Sequence, residues 1–155
     1  MHIDARKIDN GSIIEGDICI IGAGAAGLTI ALEWKDSPFK IILLESGGFE
    51  YEDEIQDLYK GKNSGQPYFP LKSSALNYFG GTTGHWAGYC AIMDPIDFTY
   101  RDWVDNSGWP IDFGDIYKYY PRAHPVLELE EFDYSVNYWQ KKIEKEELEK
   151  YKTNS

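Results

Sequence analysis

Two glycine-rich stretches hold the residues of this chain that could do chemistry. The first, Gly22-Ala23-Gly24-Ala25-Ala26-Gly27, has the form GxGxxG, and Glu45 follows it with seventeen residues between Gly27 and the acid. The second, Gly80-Gly81-Thr82-Thr83-Gly84-His85-Trp86-Ala87-Gly88, sets one imidazole and one indole among small residues. Bare backbone lets a loop lie close to a ligand or to another stretch of chain, and unpaired amides there can donate hydrogen bonds to an anion. The first stretch therefore points to a phosphorylated ligand, and the second to something that approaches the backbone closely.

The elements around the first stretch decide what it means. Asp17-Ile18-Cys19-Ile20-Ile21 is a β-branched apolar run, as expected of a strand buried on both faces of a parallel sheet, with Cys19 a core thiol. From Ala25 to Lys35, Leu28, Ala31 and Leu32 recur at helical spacing while Ile30 and Trp34 cover a second face, which predicts a well-buried helix ended by Ser37-Pro38. Lys40-Ile41-Ile42-Leu43-Leu44-Glu45 is a second buried strand, and the three together close a right-handed βαβ unit. In that frame Gly22 makes the tight turn, Gly24 leaves room for a pyrophosphate, and Gly27 lets the helix pack on the sheet. The phosphates are expected on the helix N-terminus, with the backbone of Ala23, Ala25 and Ala26 beside them. Glu45, followed by Ser46, ends the second strand, where its carboxylate can accept from adenosine ribose hydroxyls and would repel a 2′-phosphate. A GxGxxG alone occurs by chance; strand, glycines, helix and acid in register make a nucleotide site the stronger reading. FAD and NAD both present an ADP half, so the fingerprint does not separate them.

After Glu45 the regular alternation stops. Ser46-Gly47-Gly48 leads into a polar, aromatic-spiked stretch to about Lys72 with one short helix near 52–60, whereas an NAD-dependent Rossmann domain needs continued strand-helix alternation. Residues 97–104 read as a turn or short helix. Asp112, with Asp115 three residues on, reads as the capped start of a helix over 116–123, and 135–152 as a charged helix.

The residues DICIIGAGAAGLTIAL from Asp17, ESGG at Glu45–Gly48, GGTT at Gly80–Thr83 and SGWP at Ser107–Pro110 resemble the glucose-methanol-choline oxidoreductases. The HW after GGTT, the DPIDF of Asp94–Phe98 and the YYPRA of Tyr119–Ala123 are most similar to the bacterial sugar and alcohol dehydrogenase branch and the pyranose oxidases. The resemblance runs from about Asp17 to Leu129. It implies a Rossmann-like FAD-binding fold of the α/β class, incomplete here, with irregular flavin-lining loops and C-terminal helices. It also implies hydride transfer from the CH-OH group of an alcohol or sugar to flavin N5, with oxygen, a quinone or another carrier as electron acceptor. Gly80, Gly81, Thr82, Thr83, His85 and Trp86 would line the flavin, with the two threonines donating hydrogen bonds to it.

The chain departs from the commoner family pattern by placing His85 and Trp86 where an apolar residue and Asn follow the loop. In the pyranose oxidases a histidine at this place bonds covalently to the flavin 8α-methyl, but Gly84 replaces the threonine found there, so a covalent bond does not follow. His85 has three readings: covalent flavin ligand, non-covalent cofactor contact, or a histidine that holds the loop. Trp86 is either a wall against the flavin or ordinary core packing. Trp103, Trp109, Tyr119 and Tyr120 read as packing residues, and His2 and His124 have no metal-ligand spacing with any other candidate, so no metal site is expected.

Composition bounds the rest. A formal net charge of -11 without any Lys/Arg cluster argues against nucleic acid or an anionic membrane as partner. Two cysteines are too few for a disulfide framework and fit a cytoplasmic setting. The uncharged run from Ile18 to Leu32 is preceded by Asp4, Asp9, Glu15 and Asp17, which does not suit a signal peptide, and is too short and glycine-rich to span a membrane. The expected organisation is an N-terminal extension over 1–16, the amino-terminal part of an FAD-binding domain over 17–129, and a charged helical tail or the start of a further part over 130–155. The proton-accepting histidine of the family lies near the carboxyl end of much longer chains, and nothing after Leu129 resembles its motif. Two strands would also leave unpaired sheet edges. The chain is thus expected to be the amino-terminal portion of a flavoenzyme, completed by further sequence or a complementary chain; the alternative is a non-catalytic nucleotide-binding remnant.

Overall fold

The computed structural model describes residues 1–153, with side chains as far as residue 145. The chain is α/β and divides into two units, Met1–Tyr89 and Cys90–Ser155.

In the first unit β1 (Ile18–Ile21) and β2 (Ile41–Leu44) pair in parallel, Ile18 opposite Ile41 through Ile21 opposite Leu44, with α1 (Ala25–Glu33) as the crossover. The β-branched runs expected to be strands are strands, and polar contacts fix both ends of the pair. Lys40 N donates to Asp17 Oδ2 at 2.7 Å and Asp17 N to the Lys40 carbonyl at 2.9 Å, while Gly22 N donates to the Leu44 carbonyl at 2.7 Å. Helix α1 lies over the Ile20 face, where Gly27 is buried against Ile20 Cγ2 and the Gly22 carbonyl.

The strands and the helix are not buried as expected. Ile20 is the buried residue of β1, whereas Ile21 is 84% exposed, Cys19 and Leu44 are exposed, and Ile30, Leu32 and Trp34 of the α1 region face solvent. A two-stranded sheet with one helix has cover for a single face, so the apolar runs are longer than what this unit can bury. Cys19 is accordingly an exposed thiol rather than a core one. Helix α1 also ends at Glu33, short of Lys35, with Trp34 as its C-cap.

The segment after β2 folds in short pieces. Helix α2 (Asp53–Gln56) and the 3₁₀ turn Asp57–Tyr59 occupy the place of the predicted short helix. Helix α3 (Leu71–Ser74) follows, and the second glycine stretch forms a 3₁₀ turn over Gly81–His85. Gln56 holds these pieces together. Only 1% exposed, it donates through Nε2 to the carbonyls of Lys72 (2.6 Å) and Ala75 (2.7 Å) and accepts from Asn77 N (2.9 Å).

In the second unit α4 (Pro95–Phe98) and α5 (Phe113–Tyr117) each begin with a reciprocal capping box, Asp94 with Asp97 and Asp112 with Asp115. The cap at Asp112 is where the sequence puts it, but the helix starts at once and stops at Tyr117, and α6 (Tyr120–Val126) resumes after it. Helix α7 (Val136–Thr153) matches the predicted charged helix. Phe98 is buried, and so is His124, whose Nδ1 donates to the Glu130 carbonyl at 2.8 Å, leaving Nε2 to accept from the Tyr134 hydroxyl at 3.1 Å. Its ring stands edge-on to Phe132 at 4.9 Å. Trp103, Trp109 and Tyr119 do not pack as expected: they are 75%, 59% and 49% exposed, because short helices in this unit offer no facing layer. Tyr120 does pack, stacked on Phe132 at 6.4 Å. Among the described residues no helix is long and apolar enough to cross a membrane.

Candidate functional site

The two glycine stretches of the sequence meet at the carboxyl end of the parallel pair. Gly22 turns the chain out of β1 with φ +96°, a conformation that excludes other residues in practice, and Gly24 serves as the N-cap of α1. Gly80, at φ +95°, donates its N–H to the Ala23 carbonyl at 2.8 Å, and Gly24 and Gly80 form an isolated parallel bridge. The second loop is thereby added alongside the first as a one-residue extension of the sheet.

Glu45 is held at the same place. Its Oε2 accepts from Ala23 N at 2.7 Å and its Oε1 from Gly47 N at 3.0 Å, so one carboxylate ties the end of β2 to the fingerprint turn. Oε2 keeps a further lone pair for a hydroxyl donor, whereas Oε1 also lies 3.4 Å from the Ser46 hydroxyl. Ala23 is fully buried, with its N–H on Glu45 and its carbonyl on Gly80. Ser46 donates to Asn77 Oδ1 at 2.6 Å, and Asn77, itself buried, is the residue whose amide Gln56 receives. The Gln56–Asn77–Ser46 chain therefore anchors the segment that leads into Gly80. No short-range pattern in the sequence marks Gln56 or Asn77.

The glycines of the fingerprint are required for different reasons. A Cβ on Gly27 would collide with the Gly22 carbonyl, as close helix packing demands. Gly24 has an ordinary extended backbone, φ -78°, and a Cβ there would meet nothing within 4 Å. Neither backbone strain nor packing explains a glycine at that position.

Beyond the fingerprint, a cavity of about 510 Å³ opens at the carboxyl end of β2, lined by Ala23, Glu45, Ser46, Phe49 and Phe79 and also by residues 2–6. Its size lies within the range of small-molecule sites. In the N-terminal segment Arg6 pairs with Asp4 at 3.0 Å and with Glu52 at 3.4 Å, and its hydrogen bonds hold the Asp4 carboxyl below the usual carboxylate range.

Within the second loop, Thr83 donates its hydroxyl to the Gly80 carbonyl at 2.5 Å, so that proton is committed to the loop itself. Thr82 Oγ1 accepts from Leu76 N at 3.0 Å, and among the described residues its own proton has no acceptor. His85 is exposed at the end of the 3₁₀ turn, edge-on to Tyr78 with centroids 6.1 Å apart. Gly84 is the residue over which the Tyr78 hydroxyl lies, and a Cβ there would strike it. Trp86 is 49% exposed, so it is not ordinary core packing within its unit. Ala23, Glu45 and Ser46 thus share one cavity and Gly80 and Gly81 adjoin it, whereas Thr82, Thr83, His85 and Trp86 do not line that cavity. Among the described residues no group of His, Cys, Asp and Glu is arranged to hold a metal ion.

No family model matches the chain, and no solved structure matches it at a significant level. A curated relative does: the 2-methyl-1,2-propanediol dehydrogenase of Mycolicibacterium austroafricanum is 24% identical, in an alignment covering 73% of this chain and 24% of that protein. The chain thus spans about a quarter of the length of the relative it matches.

Proposed function

We propose that this chain carries the FAD-holding part of an oxidoreductase that acts on the CH-OH group of an alcohol or sugar. The observation that carries this reading is the meeting of Gly24 with Gly80 beside the Glu45 carboxylate, at the carboxyl end of a parallel βαβ unit. That position is where dinucleotides bind in Rossmann-like sheets.

The residues fit an ADP half. Gly24 is a glycine that neither its backbone nor its neighbours require, so the space in front of it is room for a ligand. The first-turn amides of α1 have no partners within the helix and can donate to a pyrophosphate. Glu45 Oε2 keeps a lone pair for a ribose hydroxyl, and the carboxylate rejects a 2′-phosphate. When bound, the flavin supplies the acceptor for hydride. The exposed His85 and Trp86 and the free proton of Thr82 are then available to it as non-covalent contacts, in keeping with Gly84 standing in the place of threonine. The printed name of the relative, a dehydrogenase of a diol, supports an alcohol as substrate class. Neither cysteine is in a disulfide, which suits a cytoplasmic setting.

A second reading has an observation of its own. Cys19, Ile21 and Leu44 leave one face of the sheet open to solvent, which favours a chain that holds nucleotide only together with a completing polypeptide, whether as half of a split flavoenzyme or as a remnant without catalysis. The test is direct: the full chain, alone and with the polypeptide encoded next to it, is mixed with FAD, desalted and acid-precipitated. Yellow colour that survives desalting and then leaves with the supernatant supports non-covalent FAD, colour in the pellet assigns the covalent bond to His85, and no retained flavin in either preparation refutes the reading. Turnover of a diol by the pair separates enzyme from remnant.

A further inference from the structure

The N-terminal extension has no role in the reading above, yet it folds back over the carboxyl end of β2. We infer that residues 2–6 form the outer wall of the adenosine end of the nucleotide site, with the purine seated against the rings of His2, Phe49 and Phe79. The inference rests on the dinucleotide reading and extends it to a part of the chain that the fingerprint does not include.

Three observations converge. First, the cavity lined by Ala23 and Glu45 is also lined by His2, Asp4 and Arg6, so one space joins Ala23, next to Gly24 in the fingerprint turn, to the acid at the end of β2 and to the N-terminal segment. With phosphates at the α1 N-terminus and ribose at Glu45, the base falls at the far end of that space. Secondly, that end is aromatic. The His2 and Phe49 rings lie 4.7 Å apart and Phe49 and Phe79 5.2 Å apart, yet Phe49 is 57% and Phe79 41% exposed. Neighbouring rings that line a cavity and remain partly exposed suit a planar heterocycle. Thirdly, the segment is tethered rather than merely adjacent: Arg6 bridges Asp4 of its own turn to Glu52 at the start of α2.

The charges select among ligands. Asp4, Glu45, Glu50 and Glu52 face the cavity against the single guanidinium of Arg6, which is already paired with two of them. Such a rim accepts an unmodified adenosine and opposes one that carries a phosphate on its ribose. The ligand class is therefore an ADP-containing dinucleotide without a 2′- or 3′-phosphate.

Calorimetric titration of the full chain with ADP, with 2′-phospho-ADP and with inorganic pyrophosphate tests this, beside the variants His2→Ala and Phe49→Leu. ADP affinity should fall about three- to tenfold in each variant, as expected for loss of one aromatic contact. Pyrophosphate affinity should stay unchanged, because that ligand does not reach the rings, and 2′-phospho-ADP should bind at least tenfold more weakly than ADP. Bound ADP should also slow tryptic cleavage after Arg6. Equal ADP affinity in wild type and both variants, or cleavage after Arg6 that ADP does not slow, overturns the inference while the dinucleotide reading stands. No binding of ADP or pyrophosphate by any of the proteins overturns both.

Discussion

Replacing Gly24 and Gly27 by alanine, one at a time, separates what the protein needs for folding from what it keeps for a ligand. At Gly27 the added Cβ would meet the Gly22 carbonyl and lie 3.3 Å from Ile20 Cγ2, and the carbonyl cannot yield without opening the turn. Overpacking of this kind costs about 1–3 kcal/mol, and the rigid neighbour places Gly27→Ala at the upper end. Alanine in a helix returns roughly 1 kcal/mol. The net is a loss of about 2 kcal/mol of stability. At Gly24 the same methyl enters open space from an ordinary extended backbone. Alanine is a poorer N-cap than glycine by roughly 0.5 kcal/mol, and the stiffer unfolded chain returns about 0.4–1 kcal/mol. Stability should therefore change by less than about 0.5 kcal/mol in Gly24→Ala. The methyl stands where a pyrophosphate must approach the amides, and losing one amide-to-anion hydrogen bond, about 1.5–3 kcal/mol, weakens ADP about ten- to a hundredfold. Urea denaturation followed by tryptophan fluorescence reads the first quantity and calorimetric titration with ADP the second. A Gly24→Ala protein that binds ADP as tightly as wild type would refute the assignment of that space to a ligand.

Two further outcomes follow from the polar contacts. Gln56→Leu removes three buried hydrogen bonds and leaves the carbonyls of Lys72 and Ala75 and the amide of Asn77 unpaired, at about 1 kcal/mol for each bond; the urea midpoint should reflect a loss of about 3 kcal/mol, and a change under 0.5 kcal/mol contradicts the role given to Gln56. Hydrogen bonds from Lys60 and Lys72 hold the Asp57 carboxyl below the usual carboxylate range. Its folded-state pKa thus lies under the unfolded one, so its contribution is present above roughly pH 4 and is lost as pH falls through the depressed value. Stability should decline below pH 4, and Asp57→Asn should flatten part of that decline; an equal decline in the variant argues against Asp57 as a source.

What the sequence made legible was local. The continuous apolar runs, the helical spacing between them, the spacing of Gly22, Gly24 and Gly27, and the acid at the end of the second run all act within one βαβ unit, and the structure has that unit in parallel register. The Asp112 cap was legible for the same reason, since it binds an amide three residues away. Burial was not legible, because it depends on what covers an element. The run Ile18–Ile21 reads as a doubly covered strand, but in the first unit only α1 lies over the sheet and Ile21 remains exposed. Helix α3 and the 3₁₀ turn at Gly81–His85 are too short to show a period. The Gln56–Asn77–Ser46 chain joins residues 21 and 31 positions apart, for which no spacing rule exists.

Ala23 shows why the two glycine stretches should be treated as one device. Its N–H donates to the Glu45 carboxylate and its carbonyl accepts from Gly80 N, with no exposed surface. The end of β2, the fingerprint turn and the second loop are therefore fixed through a single buried residue. Removing the Glu45 side chain would take away a ribose acceptor and at the same time leave the buried Ala23 amide unpaired, which costs about 1–3 kcal/mol. The second loop would lose the geometry of its partner carbonyl as well. A loss of nucleotide affinity in such a variant would not distinguish recognition from collapse of the turn. Gly24 makes no comparable demand on the protein, since its Cβ position touches nothing, and so a methyl placed there reports on the ligand alone.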